Sequence, residues 1–200
     1  MYANECSYRF RINYTNLEND WLFYVFWFKV FGWKVIGNFP VDIKKYIVAV
    51  APHTSSWDFP IGIATRSIMR MQNTKFLGKS QLFKPPLGWF FRALGGYPVE
   101  RTTSHDMVEQ VVKIFNDHDQ FILGLAPEGT RKKVEKFKTG FYFIAKQAKI
   151  PIIPCGFDFE KKAVIIGSPF YPSNDVEADF ENLYSFYRKI KGRNSELGVS

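Results

Sequence analysis

The stretch that most limits what this chain can fold into is Tyr-Ile-Val-Ala-Val-Ala at residues 46–51. It is apolar at every position, so neither face of the strand it forms can be left in water. Such a strand lies inside a sheet covered on both sides, the environment typical of parallel α/β proteins. The remaining sequence supplies the covers. Ser55 or Ser56 can cap a helix reaching about Met71, with Pro60 in its first turn, where a missing N–H does no harm. Residues 75–78 and 97–99 read as further strands around a short helix at 87–94. Met107, Val108, Val111, Val112 and Phe115 share one face of a helix over 104–118. Strands at 121–125, 151–157 and 163–166 follow, with Thr139 capping a helix through Lys149. A last helix spans about 175–190, with Val176, Phe180, Leu183, Tyr184 and Tyr187 on one side and Asn174 and Glu177 as a capping pair. The fold class that results is α/β: a single domain with a largely parallel or mixed central sheet flanked by helices.

Two hundred residues suit one core, because a chain of that size buries roughly 70% of the surface it exposes when unfolded. The N-terminal segment, 1–36, stands somewhat apart from the domain expected over 37–191, and 192–200 reads as a loose tail. From Trp21 to Phe28 the chain is wholly apolar, but Lys29 and Lys34 leave the run short of the ~20 residues that a spanning helix needs. Trp21, Trp27 and Trp33 with two lysines suit a helix lying at headgroup depth. A helix that covers the core is the other reading. Residues 1–20 lack a secretory pattern, so the expected place is the cytoplasmic side of the cell membrane, peripheral or monotopic.

Charge and aromatic content point the same way. A net charge of +8 calls for an anionic partner, and 21 Phe with five Trp favour an apolar ligand or a membrane surface. Single-stranded RNA is disfavoured because the aromatics sit inside apolar runs and are not interleaved with basic residues on one strand. Two cysteines, Cys6 and Cys155, are too few for a disulfide framework and indicate a reducing compartment.

If the sheet is parallel, the loops after successive strands emerge on one edge, where ligands bind. Three polar clusters then converge: His53 to Asp58, Glu100 with Arg101, and Glu128 to Arg131. A neutral imidazole can take a proton from a hydroxyl near neutral pH, and a carboxylate on its other nitrogen fixes the tautomer and steadies the cation that forms. His53 and Asp58 supply that pair; the plainer reading has Asp58 only neutralising the first turn of its helix. No Gly-x-Ser-x-Gly elbow is present and no cysteine lies near a histidine, so direct attack by an acceptor hydroxyl is preferred to a covalent acyl-enzyme. His53, His105 and His118 lack metal-ligand spacing, and the latter two fall at the ends of one helix, exposed; no metal is expected. Glu128-Gly129-Thr130-Arg131 combines a flexible glycine, a hydroxyl and a guanidinium that can wrap a phosphate, with Arg101 closing from the neighbouring loop and Lys132, Lys133, Lys136 and Lys138 around it.

Pro-His-Thr-Ser-Ser-Trp-Asp at 52–58, Gly-Gly-Tyr-Pro-Val-Glu-Arg at 95–101, Pro-Glu-Gly-Thr-Arg at 127–131 and Ile-Pro-Ile-Ile-Pro at 150–154 occur in order. They resemble the four blocks of the glycerolipid acyltransferase family, the 1-acylglycerol-3-phosphate acyltransferases, across about residues 30–190. That resemblance implies His53 as base and Asp58 as its partner. It places Arg101, Glu128, Gly129, Thr130 and Arg131 at the acceptor's phosphate. The donor it implies is acyl-CoA or acyl-carrier protein, with no cofactor. Ala126, Lys132 and the run Pro98-Val99-Glu100-Arg101 depart from the family's usual blocks and line the acceptor side. The acceptor stays open between lysophosphatidic acid and another lyso-lipid such as an acylated amino acid. A thioester hydrolase would use the same residues.

Overall fold

The computed structural model describes residues 18–100 and 104–198. A seven-stranded sheet runs through it: β1 (Lys34–Ile36), β2 (Lys45–Val50), β3 (Thr74–Lys79), β4 (Gly96–Val99), β5 (Phe121–Leu125), β6 (Ile152–Asp158) and β7 (Ala163–Ile166), in the spatial order β1-β7-β6-β2-β5-β3-β4. Every neighbouring pair is parallel except β6 with β7, which are antiparallel. The apolar run at 46–51 becomes β2 beside β6, which is buried along its whole length. The edges carry the poorer strands: β1 has three residues, and β4 contains Pro98, which cannot donate to a ladder.

Helices cover both faces. Alternation along β2 sends Tyr46 and Val48 to one side and Ile47 and Ala49 to the other, and each set joins a different hydrophobic cluster. The first side is covered by α1 (Glu18–Phe31) and α2 (Asp58–Ile68). A 3-10 turn at Ser80–Phe83 and α3 (Gly88–Ala93) lie on the same side, since Phe83 packs against the bare backbone of Gly78 and Gly96. On that side Phe76, two residues before Gly78 and paired with Gly96, meets the α2 ring of Phe59 edge-on at 6.0 Å. The opposite side holds α4 (Ser104–Asp117), α5 (Gly140–Ala148) and α6 (Val176–Tyr187), whose Val111, Phe115, Phe141, Ile144, Phe180 and Leu183 fill the second cluster.

Local details differ from the sequence reading in instructive ways. The segment set apart as 1–36 is joined to the sheet at its end, because Lys34, Val35 and Ile36 pair with Ala163, Val164 and Ile165 of β7. Its helix does two things. Phe28 is buried in the first cluster and the Trp21 Nε1–H donates to the Ile68 carbonyl at 3.3 Å, while Leu22, Phe23, Phe26 and Val30 stand exposed. These four lie within about 100° of one another around the helix, so core cover and an exposed apolar stripe coexist on one element. At α6 the cap is Asp175, which accepts the Ala178 N–H at 3.0 Å, whereas Asn174 accepts from Lys146 Nζ at 3.3 Å. His118 is packed and not free at a helix end: its Nδ1 lies 2.8 Å from the Ile114 carbonyl and its ring against Phe121. The tail at 192–200 begins tied down, since Asn194 donates its amide to the Thr54 carbonyl at 2.8 Å and its backbone N–H to Thr54 Oγ1 at 3.2 Å.

Candidate functional site

The parallel strands β2 and β5 end side by side, and their following loops share the carboxyl edge of the sheet. The first of these loops carries His53 into a short turn before α2, which starts at Asp58 and not at a serine; Ser55 Oγ instead accepts the Trp57 N–H at 3.2 Å. One turn of chain thus folds Asp58 back onto the ring. His53 Nδ1 and Asp58 Oδ2 are 2.9 Å apart, with the aspartate side chain 2% exposed and the histidine side chain 24% exposed. Asp58 Oδ2 also accepts the Ser55 N–H at 3.0 Å, and the start of a helix is where a buried carboxylate is least costly. With Nδ1–H held by the carboxylate, the lone pair is left on Nε2. Asp58 Oδ1 is buried without a partner.

Glu128, expected at an acceptor phosphate, lies against the His53 backbone. Its carboxylate is 3% exposed and Oε2 accepts the His53 backbone N–H at 2.8 Å. Burial pushes its pKa above the ordinary carboxylate value, and the Asp58 charge adds to that push, while the His53 N–H and imidazole oppose it. Gly129 follows at φ +65°, a turn that brings its N–H onto the Ala126 carbonyl at 3.1 Å. Beyond it Thr130 Oγ1 accepts the Lys132 N–H at 3.3 Å. The exposed Arg131 donates from Nη1 to Ser56 Oγ at 2.9 Å, so the third cluster crosses over to the first. Of the second cluster only Glu100 falls among the described residues. β4 ends three strands from β2, about 14 Å away, Glu100 is exposed, and Arg101 lies outside the described residues.

Below the pair opens a cleft of about 1110 Å³. Beside α2 its lining runs from His53 and Asp58 to Arg66 and Thr74 and includes Val48, Ile63, Phe76 and Phe157, and on the other side of the sheet it takes in Met107 of α4 with Phe141 and Ile144 of α5. Arg131, Lys132 and Lys138 stand at its polar end. Cys155 also lines it, but burial pushes that thiol up to about 12, which keeps it protonated and unsuited to nucleophilic attack. Among the described residues no group of three or more His, Cys, Asp or Glu could hold a metal ion.

Sequence reasoning found the pair and the Arg131 loop but missed the parts that hold them. The Thr54 tie to Asn194 spans 140 residues and has no local signature. Tyr187 Oη, buried, donates to the Ala49 carbonyl at 2.6 Å and braces β2 just before the His53 turn; only its place on the apolar side of the last helix was legible.

A family model described as Acyltransferase matches residues 32–158. The chain is 32% identical over 129 residues to the 1-acyl-sn-glycerol-3-phosphate acyltransferase of Saccharomyces cerevisiae, covering 60% of this chain and 41% of that protein. To the protein of the same description from Escherichia coli it is 29% identical over 133 residues, covering 62% of this chain and 53% of that one. It thus spans about half the length of the curated relatives it matches. Its fold is similar to the crystal structure of the 1-acyl-sn-glycerophosphate acyltransferase PlsC from Thermotoga maritima, with a TM-score of 0.56 and 22% identity over 86% of this chain and 77% of that one.

Proposed function

Because the chain belongs to the acyltransferase family, whose model covers residues 32–158 of it, we propose that it moves a fatty acyl group from a thioester donor to the hydroxyl of a lyso-lipid, 1-acylglycerol-3-phosphate above all. The observation that carries this reading is a carboxylate-oriented imidazole at the head of a long apolar cleft. His53 Nε2 takes the proton of the acceptor hydroxyl as its oxygen attacks the thioester carbonyl. The tetrahedral adduct collapses, the carbon–sulfur bond breaks, and the departing sulfur takes the proton from the imidazolium, giving an ester and a free thiol. Asp58 holds the ring in the productive tautomer and stabilises the imidazolium. No cofactor is needed. Acyl-CoA and acyl-carrier protein both present the required thioester, and the apolar cleft takes the acyl chain, whose burial is worth about 0.8 kcal/mol per methylene.

Arg131, with Thr130, Gly129 and Arg101, binds the acceptor's phosphate, for which a guanidinium is the strongest available partner. Glu128 serves the acceptor through the position of His53, whose backbone N–H its Oε2 accepts. The acceptor and product are lipids, so the site works at a bilayer surface. No helix among the described residues is long and apolar enough to cross a membrane, and the exposed stripe of α1 suits docking at an anionic leaflet from the cytoplasmic side. Purified protein given labelled acyl-CoA or acyl-carrier protein with lysophosphatidic acid, read by mass spectrometry, should form the diacyl product. Free fatty acid as the sole product, with or without acceptor, would replace transferase by thioester hydrolase.

A further inference from the structure

Fifteen large apolar side chains stand well exposed among the described residues, and eleven of them belong to elements of the face built by α1, α2 and α3. Five are on α1 and two at the start of α2. The other four, Leu82, Leu87, Trp89 and Phe90, cluster in the segment 82–90, which packs through Phe83 on β3 and β4, at the opposite edge of the sheet from the β1 strand that follows α1. They are not exposed because the segment is loose. Phe83 is buried against Gly78 and Gly96, Gly88 is packed where a side chain would strike the Phe83 carbonyl, and Arg92 Nη1 donates to that same carbonyl at 2.9 Å. A pinned scaffold holds Trp89 70% exposed and Leu87 57% exposed. Apolar surface displayed in this way marks a binding site.

The charge around it identifies the partner. From Phe59 to Val99 the sequence contains no Asp or Glu, while Arg66, Arg70, Lys75, Lys79, Lys84 and Arg92 fall in the same stretch. Lys79, Lys84 and Arg92 are exposed and alternate with the apolar residues. The tip itself, Pro85-Pro86-Leu87-Gly88-Trp89-Phe90, has few side-chain donors or acceptors to satisfy a protein partner, whose interfaces carry about one hydrogen bond per 100–200 Å². A bilayer with anionic headgroups asks for none: it takes apolar rings at headgroup depth and basic residues beside them. We propose that residues 82–90 form a second contact with an anionic bilayer, so that the cleft mouth is held against lipid by two separate supports, α1 and this segment. The purpose of the contact rests on the reading of the cleft as a lipid site; the contact itself is a surface property measured without turnover.

The test uses the full chain and vesicles of equal parts phosphatidylcholine and phosphatidylglycerol. Leu87→Ser, Trp89→Ser and Phe90→Ser combined should lower partition onto the vesicles roughly tenfold or more with α1 untouched. Turnover of an acyl thioester on a detergent-dispersed acceptor should be unchanged, so a loss of membrane binding is told apart from a failure of the acyltransfer reading. Lys79→Gln with Lys84→Gln should weaken binding at low salt and converge with wild type at high salt. With brominated phospholipid in the vesicles, the native chain should lose more tryptophan emission than Trp89→Phe, and this readout decides the matter even if the triple variant misfolds. Equal quenching in the two proteins, or a folded triple variant that partitions like wild type, overturns the proposal. So does a vesicle-free dimer that the triple variant abolishes, which would make the segment a self-association surface.

Discussion

Replacing Asp58 by asparagine separates the charge of this carboxylate from its shape. Oδ2 takes two donors, the His53 ring at 2.9 Å and the Ser55 N–H at 3.0 Å, while Oδ1 is buried with none. The amide can enter in two ways. With its oxygen in the place of Oδ2, both bonds survive without charge assistance, and a buried NH2 is left without an acceptor, which costs about 1–3 kcal/mol of stability. Losing a charged partner for the imidazolium removes about 1.5–3 kcal/mol from the transition state, a factor of roughly 10 to 150. With the NH2 toward the ring, His53 must offer a lone pair at Nδ1 and carry its proton on Nε2, the nitrogen that has to accept one. That wrong tautomer lowers turnover by up to ~10⁴-fold. Asp58→Asn should therefore reduce kcat by ~10 to ~10⁴ and unfold at lower urea by the equivalent of about 1–3 kcal/mol. Thiol release from the donor measures the first and fluorescence-monitored urea titration the second. A folded variant within tenfold of the native kcat would refute the assignment of this pair.

Three further outcomes are expected. Arg131→Ala should raise KM for a phosphate-bearing acceptor roughly tenfold or more and move the donor KM much less; equal rises would shift the guanidinium to the donor's phosphates. Folding draws a proton onto Glu128, whose pKa is raised above the ordinary 4.5 by burial, so its contribution to stability is present below that value and is lost as pH rises through the raised one. Glu128→Gln keeps an oxygen for the His53 N–H and deletes the titration. Its melting temperature relative to the native chain should thus climb as pH rises above the ordinary value of 4.5, and a pH-independent difference would show that the carboxyl is not raised by folding. Leu22→Ser, Phe23→Ser and Phe26→Ser combined, with Trp21 left in place because it packs on α2, should weaken flotation with anionic vesicles, leaving the contact through residues 82–90; flotation that persists unchanged would return α1 to a purely structural cover.

What was legible in the sequence was whatever a local period or an intact motif encodes. The unbroken apolar run of β2 announced a doubly covered sheet, and the strand-then-His order placed the base at the sheet's carboxyl edge. The caps of α2 and α6 misled because several Ser, Asp and Asn lie near these two helix starts and only the folded turn selects one: Ser55 gives its hydroxyl to a turn, and Asp175 takes the α6 cap from Asn174. β1 was invisible for a different reason. Three residues carry no period, and Lys34–Ile36 becomes a strand only because β7 offers it an edge. Glu128 could be located but not oriented, since burial against the His53 backbone depends on how two loops meet that are 75 residues apart in sequence.

The tie between Thr54 and Asn194 also bears on the order in which the protein can be made ready. The chain emerges from the ribosome N-terminus first, and domains tend to fold as units as they appear. Here the turn that carries the base is written in the first third of the sequence, yet two of the hydrogen bonds that fix it come from a residue 140 positions later. The sheet has the same delay, for β2 waits on β6 for its second neighbour and β1 waits on β7 for its one neighbour among the described residues. A nascent chain can therefore hold the whole His53 to Asp58 motif and still lack its anchored form until residue 194 has cleared the exit tunnel.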